Sequence, residues 1–276
     1  MAKPENRAGY TASSELTLSL MTLRHTSLAG RVTAAAAAGF SGVGWRLEDF
    51  NPGTAGEPEI AAGLKTAGIA ACELEYPRNW IGLEHDPGYC LQEQRLLELA
   101  GRLGTKWINV AVFEAAAPAT IVASLAQLCR RAATYRITVQ LEFMPYTPPV
   151  TTLHEAWKIV QATGQPNAGL LIDAWHWARA GESARSLELI PPERITGIQL
   201  SDGLPEALPD RVAESRHHRL IPGAGAFDLA AFLHLMNNHG VTAPLAVEVM
   251  SDELDALPAA TAARAVADGV RSVLPA

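Results

Sequence analysis

The feature that most restricts the fold of this chain is an eightfold alternation of short apolar runs with helical patterns. The runs fall at residues 16–20, 42–47, 69–74, 107–112, 137–143, 169–172, 195–200 and 245–249. Helical periodicity fills the gaps, at 27–38, 57–67, 87–103, 118–135, 152–162, 175–180 with 184–189, 228–238 and 254–273. The runs are apolar on both faces, as parallel strands covered on both sides must be. Eight strand-then-helix units predict a closed (β/α)8 barrel, an α/β TIM barrel. A doubly wound open sheet is the competing architecture, but no glycine-rich phosphate loop follows the first run. Pro222, Gly223, Ala224 and Gly225 come late and lack a following Lys-Ser/Thr, so they read as a turn. No shift in composition marks a linker. One domain is expected over 15–276, behind a loose polar tail at 1–14.

Charge narrows the partners. Twenty-two Lys and Arg against 29 Asp and Glu give a net charge of −7, which opposes nucleic-acid binding because phosphates require a basic face. Cys72, Cys90 and Cys129 form no CxxC motif, so neither a disulfide framework nor a zinc–thiolate site is indicated and a reducing cytoplasm fits. No run is long enough to span a membrane, and residues 1–14 do not resemble a targeting signal. The expected partner is a small-molecule substrate. A homodimer or higher homo-oligomer stays open.

In barrels of this kind, chemistry collects at the C-terminal ends of the strands. The fifth to eighth strands end in Glu142, Asp173, Gln199 and Glu248. Three carboxylates brought together would repel one another and resist ionisation. A divalent cation removes that conflict, and an all-oxygen set suits Mg²⁺ or Mn²⁺. The structural alternative is that these acids pair with arginines such as Arg46, Arg78 or Arg219. A cation in a small pocket could bind a carbonyl and a neighbouring hydroxyl and so stabilise an enolate. His176, one helical turn after Asp173, can then serve as the base. Arg78 and Arg219 suit a substrate carboxylate or phosphate. Ser215 and His217 are further substrate contacts, carried on a polar segment at 202–225 that reads as a loop over the pocket, partly ordered by ligand. His25 and Glu75 lie on the same rim. Asp202 could steady the loop, and at least two of Trp45, Trp80, Trp175 and Trp177 could wall the pocket.

The chain resembles the xylose isomerase-like barrels, the sugar phosphate isomerases and epimerases. Val139 to Phe143, Leu171 to His176, Gln199 to Asp202, Arg219 to Gly225 and Ala246 to Glu248 carry the likeness. The resemblance implies that Glu142, Asp173, Gln199 and Glu248 hold one Mn, Mg or Co ion. Many members, including ketose 3-epimerases, have His where this chain has Gln199. Bacterial 3-dehydroshikimate dehydratases are similar in using Gln there, in the stretch Glu214 to Arg219, and in an arginine matching Arg78. The segment after Glu142 departs from that pattern, and Gly-Ala-Gly at 223–225 replaces the more usual Gly-Glu-Gly. The resemblance thus implies a metal-dependent lyase with His176 as base. Its alternative is an isomerase or epimerase with Glu142 and Glu248 as acid and base. Repair endonucleases share the barrel but need additional His and Asp ligands and a basic face, and a barrel without turnover would not need the full ligand set.

Overall fold

Glycine stops most of the crossover helices, and the chain then turns back into the sheet. At Gly39 (φ 79°) and Gly104 (φ 75°) the left-handed cap returns its N–H to the last helical turn, a conformation strained for residues with a Cβ. The starts are equally local. Asp86 caps one helix through Tyr89 N, with Pro87 at the first helical position. Thr152 and Glu155 form a reciprocal capping box at another.

The computed structural model describes residues 9–275 except 12, 52, 53 and 84. Its strands are β1 (Leu16–Leu18), β2 (Gly42–Trp45), β3 (Ala70–Glu75), β4 (Trp107–Ala111), β5 (Thr138–Glu142), β6 (Ala168–Asp173), β7 (Ile195–Leu200) and β8 (Leu245–Val247). They pair in parallel in chain order, and β8 returns to β1, closing the barrel. The helices are α1 (Leu28–Ala38), α2 (Glu57–Ala67), α3 (Pro87–Leu103), α4 (Pro118–Ala133), α5 (Leu153–Thr163), α6 (Ala174–Ala180) and α7 (Ala184–Leu187). They continue with α8 (Arg211–His217), α9 (Leu229–His239), α10 (Asp252–Asp255) and α11 (Ala259–Val273). Leu18, Val43, Leu74, Ile108, Leu141, Leu170, Ile198 and Val247, one from each strand, are fully buried in the apolar core. Buried polar residues on the strands include Glu73, Asn109 and Gln140.

The expected barrel is therefore present, with two local differences. The helix expected at 254–273 divides into α10 and α11, because Pro258 bars its preceding residue from the helical region. The polar segment expected as a loop contains α8, capped by Asp210 and burying polar rather than apolar residues, Glu214 and Ser215. Arg179 pairs with that buried Glu214. Such a helix has no apolar periodicity to announce it. The segment is closed on itself by a bridge between Asp202 and Leu220 and tied to the barrel by a bridge between His218 and Ser251 after β8.

The tail expected at 1–14 falls partly on residues 1–8, outside the described residues. Tyr10 is buried, and its hydroxyl donates to Ala243 O at 2.9 Å. No helix among the described residues is long and apolar enough to cross a membrane.

Candidate metal centre and active site

Strand register builds the centre. Asp173 at the end of β6 lies opposite Gln199 on β7, Glu142 ends β5, and Glu248 directly follows β8. All four side chains are buried. Ligand atoms of Glu142, Asp173 and His176 lie within 4.8 Å of one another. Glu248 Oε1 accepts from Gln199 Nε2 at 3.2 Å and from Ser19 Oγ at 3.0 Å.

An arginine does engage part of the set. Arg219 is fully buried, with Nη1 2.6 Å from Asp173 Oδ2 and 3.3 Å from Glu248 Oε2. Asp173 Oδ1 caps α6, accepting from the backbone N–H groups of Trp175 (2.6 Å) and His176 (3.2 Å). Glu142 Oε1 and Gln199 Oε1 differ from these: both are buried and neither makes a hydrogen bond, although His176 Nε2 lies 3.3 Å from Glu142 Oε1. Leaving such an acceptor unsatisfied costs about 1–3 kcal/mol, so the pair calls for an electropositive partner.

The charge balance points the same way. Glu73 and Glu75 on β3 add two further carboxyls. Burial, followed by the charge of Glu248, pushes Glu73 up to about 8. Burial and the charges of Glu248, Glu142 and Glu73 hold Glu75 well above the ordinary carboxylate range. Burial also pushes Glu248 up to about 7, against the pull of Arg219. Asp173 moves the other way: burial is outweighed by Arg219 and His176, which hold it low. Five carboxyls thus share this region with one fully buried arginine. A divalent cation fits an excess of negative charge, two orphaned oxygens and an oxygen-rich donor set. Glu142 and Asp173 could hold it, with His176 beside them and Gln199 and Glu248 next along the rim.

His176 is buried beside that set, its Nε2 3.3 Å from Glu142 Oε1 and 3.4 Å from Arg219 Nη2. A guanidinium has only donors, so Arg219 faces a lone pair, whereas Glu142 favours a proton on the same nitrogen. Nε2 is thereby placed where a proton can be either accepted or held. Tyr146 and Trp175 pack against the imidazole, with ring centroids at 5.5 and 5.4 Å.

The other expected residues separate into two groups. Ser215 is buried at the centre, within 2.8 Å of the Tyr146 hydroxyl and accepting from Arg219 Nη2 at 3.2 Å. Arg219 is committed to Asp173, Glu248 and Ser215, so a substrate anion would have to compete for it. His217, two residues beyond Ser215, instead pairs with Asp252 at the surface (2.8 Å). His25 is also exposed, 3.6 Å from Asp255. Arg78 is exposed, its guanidinium 4.2 Å above the Phe113 ring. Trp45 and Trp80 are core residues, donating to Thr105 Oγ1 and Ala111 O at 2.9 Å, and Trp177 packs on Phe232. Trp175 alone of the four touches His176 among the described ring contacts. Asp202 accepts from the N–H groups of Gly203, Gly223 and Phe227, which fixes the turn at 223–225. Gly225 is needed there, since a Cβ would lie 2.3 Å from Asp202 Oδ1.

Sequence reasoning passed over Ser19, Glu73, Asn109 and Tyr146. Glu73 carried a usable signal: it lies two residues from Glu75 on one strand, and that spacing puts both on one face.

The Xylose isomerase-like TIM barrel family model matches residues 32–273. The chain belongs to the xylose isomerase-like TIM barrel family. A 3-dehydroshikimate dehydratase of Pseudomonas aeruginosa is 32% identical over 254 residues, covering 90% of this chain but 39% of that protein. An inosose isomerase of Halalkalibacterium halodurans is 29% identical over 145 residues, 52% of this chain and 50% of the relative. The chain thus spans about two-fifths of the length of the dehydratases it matches. Among solved structures, the IOLI protein, determined with a zinc atom, superposes with a TM-score of 0.83 at 21% identity, covering 94% of this chain and 97% of that one. That likeness establishes the family's barrel and nothing finer.

Proposed function

We propose that this barrel is a divalent-metal-dependent enzyme acting through an enolate on a small polyhydroxylated keto compound, and that it is a lyase of the 3-dehydroshikimate dehydratase type. The observation that carries the reading is the meeting of two orphaned acceptors, Glu142 Oε1 and Gln199 Oε1, with a histidine nitrogen 3.3 Å from the first. When bound, Mn²⁺, Mg²⁺ or Co²⁺ would supply Lewis acidity to a substrate carbonyl. His176 Nε2 takes the proton from the carbon beside that carbonyl and returns it to the β-hydroxyl, which leaves as water as the carbon–carbon double bond forms. Arg219 holds Asp173 beside it, while Tyr146 and Trp175, packed on the ring, keep water from the imidazole. Arg78, exposed and without a carboxylate within ion-pairing distance among the described contacts, is available to a substrate carboxylate at the rim. The dehydratase similarity over 90% of the chain supports this substrate class.

A second reading, isomerase or epimerase, draws on the inosose isomerase similarity over half the chain. In it Glu142 and Glu248 move the protons. The acidic composition and absence of a CxxC motif support a cytoplasmic protein with small-molecule substrates.

The test is incubation with 3-dehydroshikimate and Mn²⁺. Loss of water yields an aromatic diol acid with new ultraviolet absorbance, abolished by EDTA and restored by Mn²⁺, Mg²⁺ or Co²⁺. Silence in that assay, with solvent deuterium entering a ketose or inosose, would replace the lyase by the second reading.

A further inference from the structure

Ser215 and Tyr146 meet at the centre through their hydroxyls, 2.8 Å apart. Ser215 Oγ also accepts from Arg219 Nη2 at 3.2 Å. A guanidinium only donates, whereas each hydroxyl brings one hydrogen and acceptor lone pairs. The chain from Arg219 through Ser215 to Tyr146 therefore holds two hydroxyl hydrogens, and the 2.8 Å contact uses one of them. Neither hydroxyl has another partner among the described hydrogen bonds. One hydrogen is left for an acceptor outside the chain.

Burial decides which hydroxyl carries it. Ser215, on α8, is fully enclosed, and a donor left unsatisfied there costs about 1–3 kcal/mol. Tyr146, between β5 and α5, is half-buried, so water or substrate can meet a donor there. The favoured order has Arg219 donating to Ser215, Ser215 donating to Tyr146, and Tyr146 carrying the spare hydrogen. Each bond in such a chain polarises the next, which makes this phenol a stronger donor than an isolated tyrosine. Burial pushes the phenol above its ordinary value, against the pull of Arg219, so it keeps its proton at neutral pH. The chain also begins beside the base. Arg219 Nη2 lies 3.4 Å from His176 Nε2, and the Tyr146 ring packs on the imidazole.

We propose that Tyr146 is a further catalytic residue: its O–H donates a hydrogen bond to the β-oxygen that leaves the substrate. The inference rests on the lyase reading above. As the carbon–oxygen bond breaks, its electron pair goes to that oxygen and His176 supplies the proton. Tyr146 keeps its own proton while holding the charge that develops. Ser215, expected to touch substrate, acts through Tyr146 instead.

The test compares two rates in Tyr146→Phe, which keeps the ring against His176 but has no hydroxyl. With 3-dehydroshikimate and Mn²⁺ in deuterated water, it should form the ultraviolet-absorbing product about 10²- to 10³-fold more slowly than wild type, the usual worth of one such donor. Deuterium should still enter recovered substrate beside the carbonyl, at a rate within about threefold of wild-type turnover, because the base is untouched. Ser215→Ala leaves the phenol in place and should cost less, about 10-fold, the worth of one hydrogen bond. Circular dichroism and thermal melts check that each variant is folded. Should Tyr146→Phe fail to fold, wild-type crystals soaked with an analogue whose carbonyl is reduced to an alcohol, and which cannot eliminate, replace it. Tyr146 Oη should then lie about 2.5–3.0 Å from the β-oxygen, and Ser215 Oγ or no hydroxyl in that place overturns the assignment. Unchanged product formation in Tyr146→Phe, product formation and exchange slowed equally, or a larger loss in Ser215→Ala also overturns it, while wild-type turnover leaves the lyase reading standing. No product from the wild type overturns both.

Discussion

Replacing Arg219 by methionine should separate what the protein contributes to the charge balance from what a cation contributes. Arg219 Nη1 reaches Asp173 at 2.6 Å and Glu248 at 3.3 Å, and neither guanidinium nor carboxylates are open to solvent. Methionine fills a comparable space without charge, leaving Asp173 and Glu248 buried among like charges. Removing one partner of a buried ion pair costs about 3–5 kcal/mol. At about 2–4 °C per kcal/mol for large domains, the melting temperature in EDTA should fall by about 6–20 °C. Glu248 limits the loss, since its carboxyl is already pushed up to about 7 and takes a proton readily. Saturating Mn²⁺ should then recover more stability in the variant than it adds to the wild type, because the cation no longer competes with a guanidinium for the same oxygens. At 100 times its dissociation constant, a ligand stabilises the fold by about 2.7 kcal/mol. The assay is differential scanning calorimetry of both proteins in EDTA and in Mn²⁺. A variant as stable as wild type in EDTA, or equal Mn²⁺ increments in the two proteins, would refute the reasoning.

Other consequences are simpler to read. His176→Ala should lower turnover about 10²- to 10⁴-fold, the usual worth of a general base, with Mn²⁺ binding retained; steady-state kinetics with a parallel metal titration checks this, and near-wild-type turnover would assign the proton transfer elsewhere. Thr152→Ala removes the cap of α5 and should cost about 1 kcal/mol in urea unfolding. Its partner Glu155 gives a pH signature: burial works against the charged form, but hydrogen bonds from Thr151 and Thr152 outweigh it and hold the carboxyl below 4.5. Glu155→Gln should therefore lose stability at neutral pH. The difference from wild type should shrink as pH falls through that depressed value, because the contribution exists only while the native carboxylate is charged.

The barrel was legible because its signal is local and repeated: short runs apolar on both faces, alternating eight times with helical periodicity. That Glu142, Asp173, Gln199 and Glu248 meet at one rim was legible for the same reason, since strand ends of this fold share a face. What crosses the barrel was not legible. Arg219 was expected to face substrate because a guanidinium suits a carboxylate or phosphate, with pairing to the strand-end acids as the alternative, and closure of the barrel brings Asp173 and Glu248 to it, contacts 46 and 29 residues away in sequence. Ser215 and His217 looked equivalent as strings, but α8 sends one to the centre and the other to Asp252 at the surface. Glu73 was concealed by its position one layer along β3 from the rim, where an acid reads as an interruption of a strand rather than as part of a site.

The most direct measurement of the central claim is an anomalous difference map from crystals soaked in Mn²⁺. The account predicts one strong peak bounded by carboxylate oxygens of Glu142, Asp173 and Glu248 and by Gln199 Oε1, each at roughly 2.0–2.6 Å. A map without a peak there, with Arg219 still closed on Asp173 and Glu248 under saturating Mn²⁺, would contradict it.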